Sequence, residues 1–164
     1  MSAHDEFIEY ATVRAARLRD LAYLMCGDWH QAQDLTQQTL AKLYVSWARI
    51  LRRENVDAYA RRVLLRELLT EKRRLRSTER PVADIPDSAG SGDQADLRLT
   101  LVDALRGLPP QRRAVIVLRY WDDHSVETTA EILRLTPSAV KSLTVRALAD
   151  LRAVLGTDLP ITTS

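Results

Sequence analysis

The chain has one cysteine, five glycines and six prolines in 164 residues, and each scarcity narrows what it can be. A single cysteine, Cys26, excludes an intrachain disulfide and a cysteine-based zinc cluster. Within LAYLMC it reads as a small buried apolar residue. Little glycine and proline, beside abundant Leu, Ala and Arg, exclude a turn-rich sheet protein and favour helix throughout. Nowhere do about 18 apolar residues run uninterrupted, so no membrane insertion is expected. The opening MSAHDEFIEY is acidic and lacks the charged-then-apolar pattern of a secretory signal, which makes a cytoplasmic location the expectation. His4, His30 and His124 have no ligand spacing, so no metal or cofactor is expected. Asp122 to Ser125 spell DDHS, the letters of a hydrolytic triad, but triads are assembled by tertiary geometry and not by neighbours. Ser125 reads as a helix cap, and no catalytic residue is assigned.

The charge is unevenly placed. The net value is only +2, yet residues 1–41 carry −3, 42–80 carry +7, 81–103 carry −4 and 104–164 carry +2. A basic middle and a second cationic surface near the end suit a polyanion touched at two places. Solvated arginines on helix faces would give the middle block the same composition, so that block alone decides nothing.

Apolar spacing predicts a helix over 5–26, closed by Gly27 as a left-handed C-terminal residue. Asp28 can cap the next helix, with Gln31 as the reciprocal half of a capping box. That helix runs to about Ala48 and buries Ala32, Leu35, Leu40, Leu43 and Trp47; ILRREN then reads as a connection. A third helix spans Asp57 to about Arg76, with Tyr59, Val63 and Leu64 on its core side. Three helices in this order can form one small bundle. Residues 77–95, STERPVADIPDSAGSGDQA, have the composition of a flexible linker, so two helical domains are expected, over 1–76 and 96–155, with a short tail from 156 to 164.

Beyond the linker, ADLRLTLVDALRGL is helical and stops at Gly107, and Pro109 and Pro110 open a helix through QRRAVIVLRYW. Ser125 caps VETTAEILRL, with Glu127 in its first turn favouring the dipole. A short turn over Arg134 to Thr136 leads to the last helix, where Thr136 is the cap and Pro137 the first helical residue. On that helix Val140, Thr144, Ala147 and Leu151 share an inner side, widened by Leu143 and Leu148. Ser138, Ser142, Val145 and Ala149 share the outer side, edged by Lys141, Arg146 and Arg152. Short side chains in the middle and cations at the margin fit an anionic groove. Two helices, a tight turn and a cationic second helix make a helix-turn-helix. The turn lacks its usual glycine, and Leu133 and Leu135 are expected to pack beneath it.

These residues carry a family resemblance. LPPQRRAVIVLRYWDDHSVETTAEIL followed by SAVKSLTVRALADLR resembles domain 4 of the extracytoplasmic-function group of sigma-70 factors. Upstream, LAYLMCGDWHQAQDLTQQTLAKLYVSW resembles their regions 2.1 to 2.2, and DAYARRVLLRELLTEKRR their regions 2.3 to 2.4. The resemblance implies an all-α protein of two sigma-like domains, partnered by core RNA polymerase and promoter DNA, with an anti-sigma factor as a family expectation. It implies that Asp34, Gln37 and Gln38 dock on the polymerase clamp helices. It implies that Tyr59, Arg61, Arg62, Arg66, Arg73 and Arg74 open and bind the −10 element, and that Ser138, Lys141, Ser142 and Arg146 read the −35 element. The chain departs from the family pattern at Gln38, often acidic there, Arg66, often Asn, Glu71, often aromatic, and Leu143, usually polar. A stand-alone helix-turn-helix regulator and a helical adaptor or decoy without promoter activity remain as alternatives; the first predicts a dimerisation helix or a ligand pocket, and the sequence offers neither.

Overall fold

In a computed structural model of the chain, the described residues are 2–53, 55–75 and 101–156, with side chains described for 2–50, 55–70 and 101–156. The expected linker over 77–95 lies outside them, as does the tail beyond Gly156. The chain divides into two compact units, Met1–Pro86 and Asp87–Ser164. Every regular element among the described residues is helical.

The first unit is a bundle of α1 (Ala3–Cys26), α2 (Trp29–Arg53) and α3 (Val56–Leu75). Ser2 and Asp5 close a reciprocal capping box at the start of α1, and Gly27 ends that helix in the left-handed region at φ 74°. Asp28 caps α2 by accepting from the amides of His30 and Gln31, at 2.9 and 3.2 Å. Asn55 does the same for α3 through the amides of Asp57 and Ala58. The three helices pack on one another, burying Leu18, Leu21 and Met25 of α1, Leu35 and Leu43 of α2, and Leu64 and Leu68 of α3. At one end, Phe7 and Tyr10 meet Trp47 edge-on or tilted, with ring centroids 5.4 and 5.3 Å apart. At the other end Tyr23 stacks on Trp29 at 4.2 Å, and the Arg19 guanidinium lies over the same indole.

Three expectations change here. The α2 helix continues to Arg53 because Ile50 is buried and extends the apolar stripe beyond Ala48, so ILRR is helix and not a connection. Leu40, Tyr59 and Val63 are only half-buried, whereas Ala60 and Leu68 supply the core side of α3. Cys26 is half-buried, and its thiol lies 3.4 Å from the carbonyl of Asp28.

The second unit holds α4 (described over 101–106), α5 (Pro110–Ile116), α6 (Val126–Leu133) and α7 (Pro137–Leu155). The α5 helix passes directly into one π turn, Val117–Trp121, so that the Asp122 amide reaches back to the Val117 carbonyl at 2.9 Å. Val115, Ala130 and Val140 form a core joining α5, α6 and α7, with Val126, Leu133, Leu135 and Leu143 packed around it. Arg113 is the unexpected member of this interior. Its guanidinium, 5 % exposed, donates to the carbonyls of Leu105, Arg106 and Leu108 at 2.7 to 3.1 Å. It thereby joins the Leu108 amide as a second donor to the Leu105 carbonyl, supplies one to the Arg106 and Leu108 carbonyls, and places a cation at the negative end of α4.

Candidate functional site

The α6–α7 pair is built by local chemistry. Ser125 caps α6 by accepting from the Thr128 amide at 3.0 Å, and Thr136 caps α7 by accepting from the Ala139 amide at 3.1 Å. Between them Arg134 adopts the left-handed conformation, at φ 55° and ψ 48°, and the Leu135 amide donates to the Ala130 carbonyl at 2.9 Å. Such a closure is usually made by glycine. Leu133 and Leu135 pack on the core beneath the turn.

Val140, Ala147 and Leu151 point inward, and Leu143 packs against the core. Ser138, Lys141, Ser142, Val145 and Arg146 are exposed together on the outer face, with Val145 69 % accessible at its centre. Among the described residues neither Lys141 nor Arg146 has an ion-pair partner. Arg112, by contrast, is held by Asp150 at 2.6 Å and ties α5 to α7. Two cations thus edge a face of hydroxyls and one β-branched methyl pair, an arrangement that can lie against phosphates at its rim and base edges in its middle.

In the first unit, Asp34, Gln37 and Gln38 are all exposed on one stretch of α2. Their stripe continues at helical spacing through Ala41 to Val45, which is 85 % exposed. Lys42 turns aside to pair with Glu67 of α3. That pair stands over an open groove of about 400 Å³ between the helices, lined by Ala41, Val45, Ser46, Tyr59, Val63 and Arg66 among others.

The residues expected to meet the −10 element do not share one surface. Tyr59 and Arg62 are half-buried, Arg66 is exposed, and Arg73 and Arg74 lie on the last turn of α3 with side chains outside the described set. Arg61 faces inward, 4 % exposed, and donates to the Asp57 carbonyl at 3.3 Å while pairing with its carboxylate at 3.5 Å. The same carboxylate accepts from the Tyr10 hydroxyl at 3.0 Å and lies 3.7 Å from the Arg14 guanidinium. Arg61 is therefore a brace within the unit and leaves the surface set. The four-residue spacing of Asp57 and Arg61 was the available signal for it. Nothing in the sequence pointed to Tyr10, or to Arg113 in the other unit.

A helical bundle and a cationic helix-turn-helix, carried on one chain without a strand among the described residues, define a two-unit helical protein of the kind that handles nucleic acid. Comparison with known families resolves the class. The Sigma-70 region 2 family matches residues 12–78, and the Sigma-70, region 4 family matches residues 98–151. An RNA polymerase sigma-E factor of Streptomyces avermitilis is 38% identical over 152 residues, covering 92% of this chain and 85% of that protein. The sigma-E factor of Streptomyces coelicolor is likewise 38% identical, over 92% of this chain and 86% of that one. Among solved structures, the sigma factor RpoE from Bartonella quintana, in complex with the anti-sigma factor NepR, superposes with a TM-score of 0.78 at 26% identity, covering 94% of this chain and 99% of that one. The chain belongs to the extracytoplasmic-function group of the sigma-70 family and is an RNA polymerase sigma factor for promoter-specific transcription. No helix among the described residues is long and apolar enough to cross a membrane.

Proposed function

We propose that each unit carries one half of promoter engagement, and that the chain acts by binding and not by catalysis, in the cytoplasm. The exposed stripe of Asp34, Gln37 and Gln38 docks on core RNA polymerase. The half-buried Tyr59 and Arg62 and the exposed Arg66 of α3, together with Arg73 and Arg74, engage the −10 element. The outer face of α7, with Ser138, Lys141, Ser142 and Arg146, reads the −35 element. An anti-sigma factor is a further partner, as for the Bartonella relative.

The observation that carries this reading is the outer face of α7: two cations with no ion-pair partner among the described residues, around short hydroxyls, on the second helix of a helix-turn-helix whose Val140, Ala147 and Leu151 are buried in the core. Its test is transcription with purified core polymerase. Lys141→Ala combined with Arg146→Ala is expected to weaken promoter binding and to flatten its salt dependence by about one unit of slope per lost phosphate contact. Wild-type transcription and slope in that variant would remove α7 as the reader. Asp34→Ala with Gln37→Ala should instead lower affinity for core polymerase at least about tenfold, or 1.4 kcal/mol, without unfolding the chain. Unchanged core affinity in a folded variant returns weight to a regulator that works without polymerase.

A further inference from the structure

The turn that joins α6 to α7 forces one residue into the left-handed region, and that residue is arginine. Glycine fits such a site without strain, whereas a side chain bearing Cβ crowds the backbone there. The strain is not compensated by contacts of the guanidinium. Arg134 is exposed, and among the described residues its side chain makes neither an ion pair nor a hydrogen bond. The packing beneath the turn comes from Leu133 and Leu135, and the backbone closure comes from the Leu135 amide. Neither needs an arginine. One local benefit remains: a cation beyond the C-terminus of α6 is favoured by that helix's dipole, weakly at an exposed position and less so as salt rises. That benefit at most offsets the strain, and it leaves the long, unpaired side chain without a use inside the fold.

The position supplies one. Arg134 stands two residues before the cap Thr136, at the end of α7 where Ser138 and Lys141 are exposed. We propose that Arg134 is a phosphate contact of the promoter duplex, held at the corner of the helix-turn-helix so that it grips the sugar-phosphate backbone as α7 enters the groove. The proposal rests on the reading of α7 as the DNA-facing helix. Strained residues persist where a function holds them, and phosphate contacts fix orientation without carrying sequence information. Arg134 therefore contributes affinity equally to cognate and altered promoters, whereas Lys141, Ser142 and Arg146 include the residues that discriminate.

The test uses the full chain assembled with core polymerase, and as probe a labelled duplex that this holoenzyme recovers from a random-sequence pool. Arg134→Gly relieves the strain and Arg134→Asn is tolerated in the left-handed region, so both variants are expected to be folded, and glycine at least as stable as wild type. Both should bind about fivefold more weakly near physiological salt, with the salt slope reduced by about one unit. The same loss should recur on a duplex mutated in its recognised bases. Arg134→Lys, which keeps the charge, should retain most of the slope. Lys141→Ala with Arg146→Ala is measured beside them. If that double variant loses slope while Arg134→Gly and Arg134→Asn keep theirs, Arg134 is not on the phosphate and only the dipole explains it. Unchanged binding in all of them would overturn the DNA-facing reading of α7 itself.

Discussion

Arg113 shows how a charged residue can be structural. Its guanidinium spans the carbonyls of Leu105, Arg106 and Leu108, and removing it takes a charged donor from all three, of which Leu105 keeps the Leu108 amide. Arg113→Met is expected to destabilise the second unit by about 3 kcal/mol, read from urea unfolding, with Arg113→Lys recovering only part because an ammonium cannot match the planar fork. Tyr10 makes the complementary case in the first unit. Burial, the Asp57 charge and the hydrogen bond to Asp57 together push its hydroxyl well above the ordinary tyrosine value. A raised folded-state value means the unfolded chain loses this proton first, so the contribution is complete below about pH 10 and is lost as pH rises beyond it. Tyr10→Phe should therefore make stability fall less steeply between about pH 10 and 12; an unaltered profile would remove Tyr10 as the cause. Neither role is legible from spacing, because Arg113 acts through the end of a different helix and Tyr10 through a residue 47 positions away.

At the scale of the element, caps were legible and registers were not. Ser125, Thr136 with Pro137, Asp28 and Gly27 announce helix ends by chemistry confined to a few residues, and each takes that place in the structure. Thr136→Ala should accordingly cost about 1 kcal/mol, measured as a shift in the unfolding midpoint. The end of α2 is hidden because the polar run Arg52 to Asn55 follows Ile50 and Leu51 directly, and only the bundle shows Ile50 to be buried. Arg61, which the resemblance assigns to the −10 element, is instead drawn inward by the Asp57 cluster. The exposed stripe of α2 also proves longer than its polar residues suggest. Val45, projecting beyond Ala41, has no packing role within the described residues to lose, so Val45→Asp should leave the unfolding midpoint unchanged while lowering affinity for core polymerase about tenfold or more. A titration against core polymerase that matches wild type would confine docking to the polar half.

For the whole molecule, the consequential fact is that each unit has its own buried interior, one around Leu18, Leu21, Leu64 and Leu68, the other around Val115, Ala130 and Val140. Limited proteolysis should release two resistant helical fragments, with first cleavage between the units. Leu18→Ala, costing about 3 kcal/mol in the first unit, should leave the unfolding of the second in place. A common shift of both transitions would show the interiors to be coupled. Composition made the division legible, since an acidic, proline- and serine-containing stretch interrupts the apolar periodicity. The π turn at Val117–Trp121 had no such sign. Its consequence is one of phase: it admits one residue more than an α turn, and each residue advances a helix by about 100°. Deleting a single residue there would restore regular winding and swing the Asp122 to Ser125 corner about a quarter-turn around the α5 axis. The insertion thus works like the offset of a key, setting at which angle the following helix pair leaves α5 and so which of its sides meets the core.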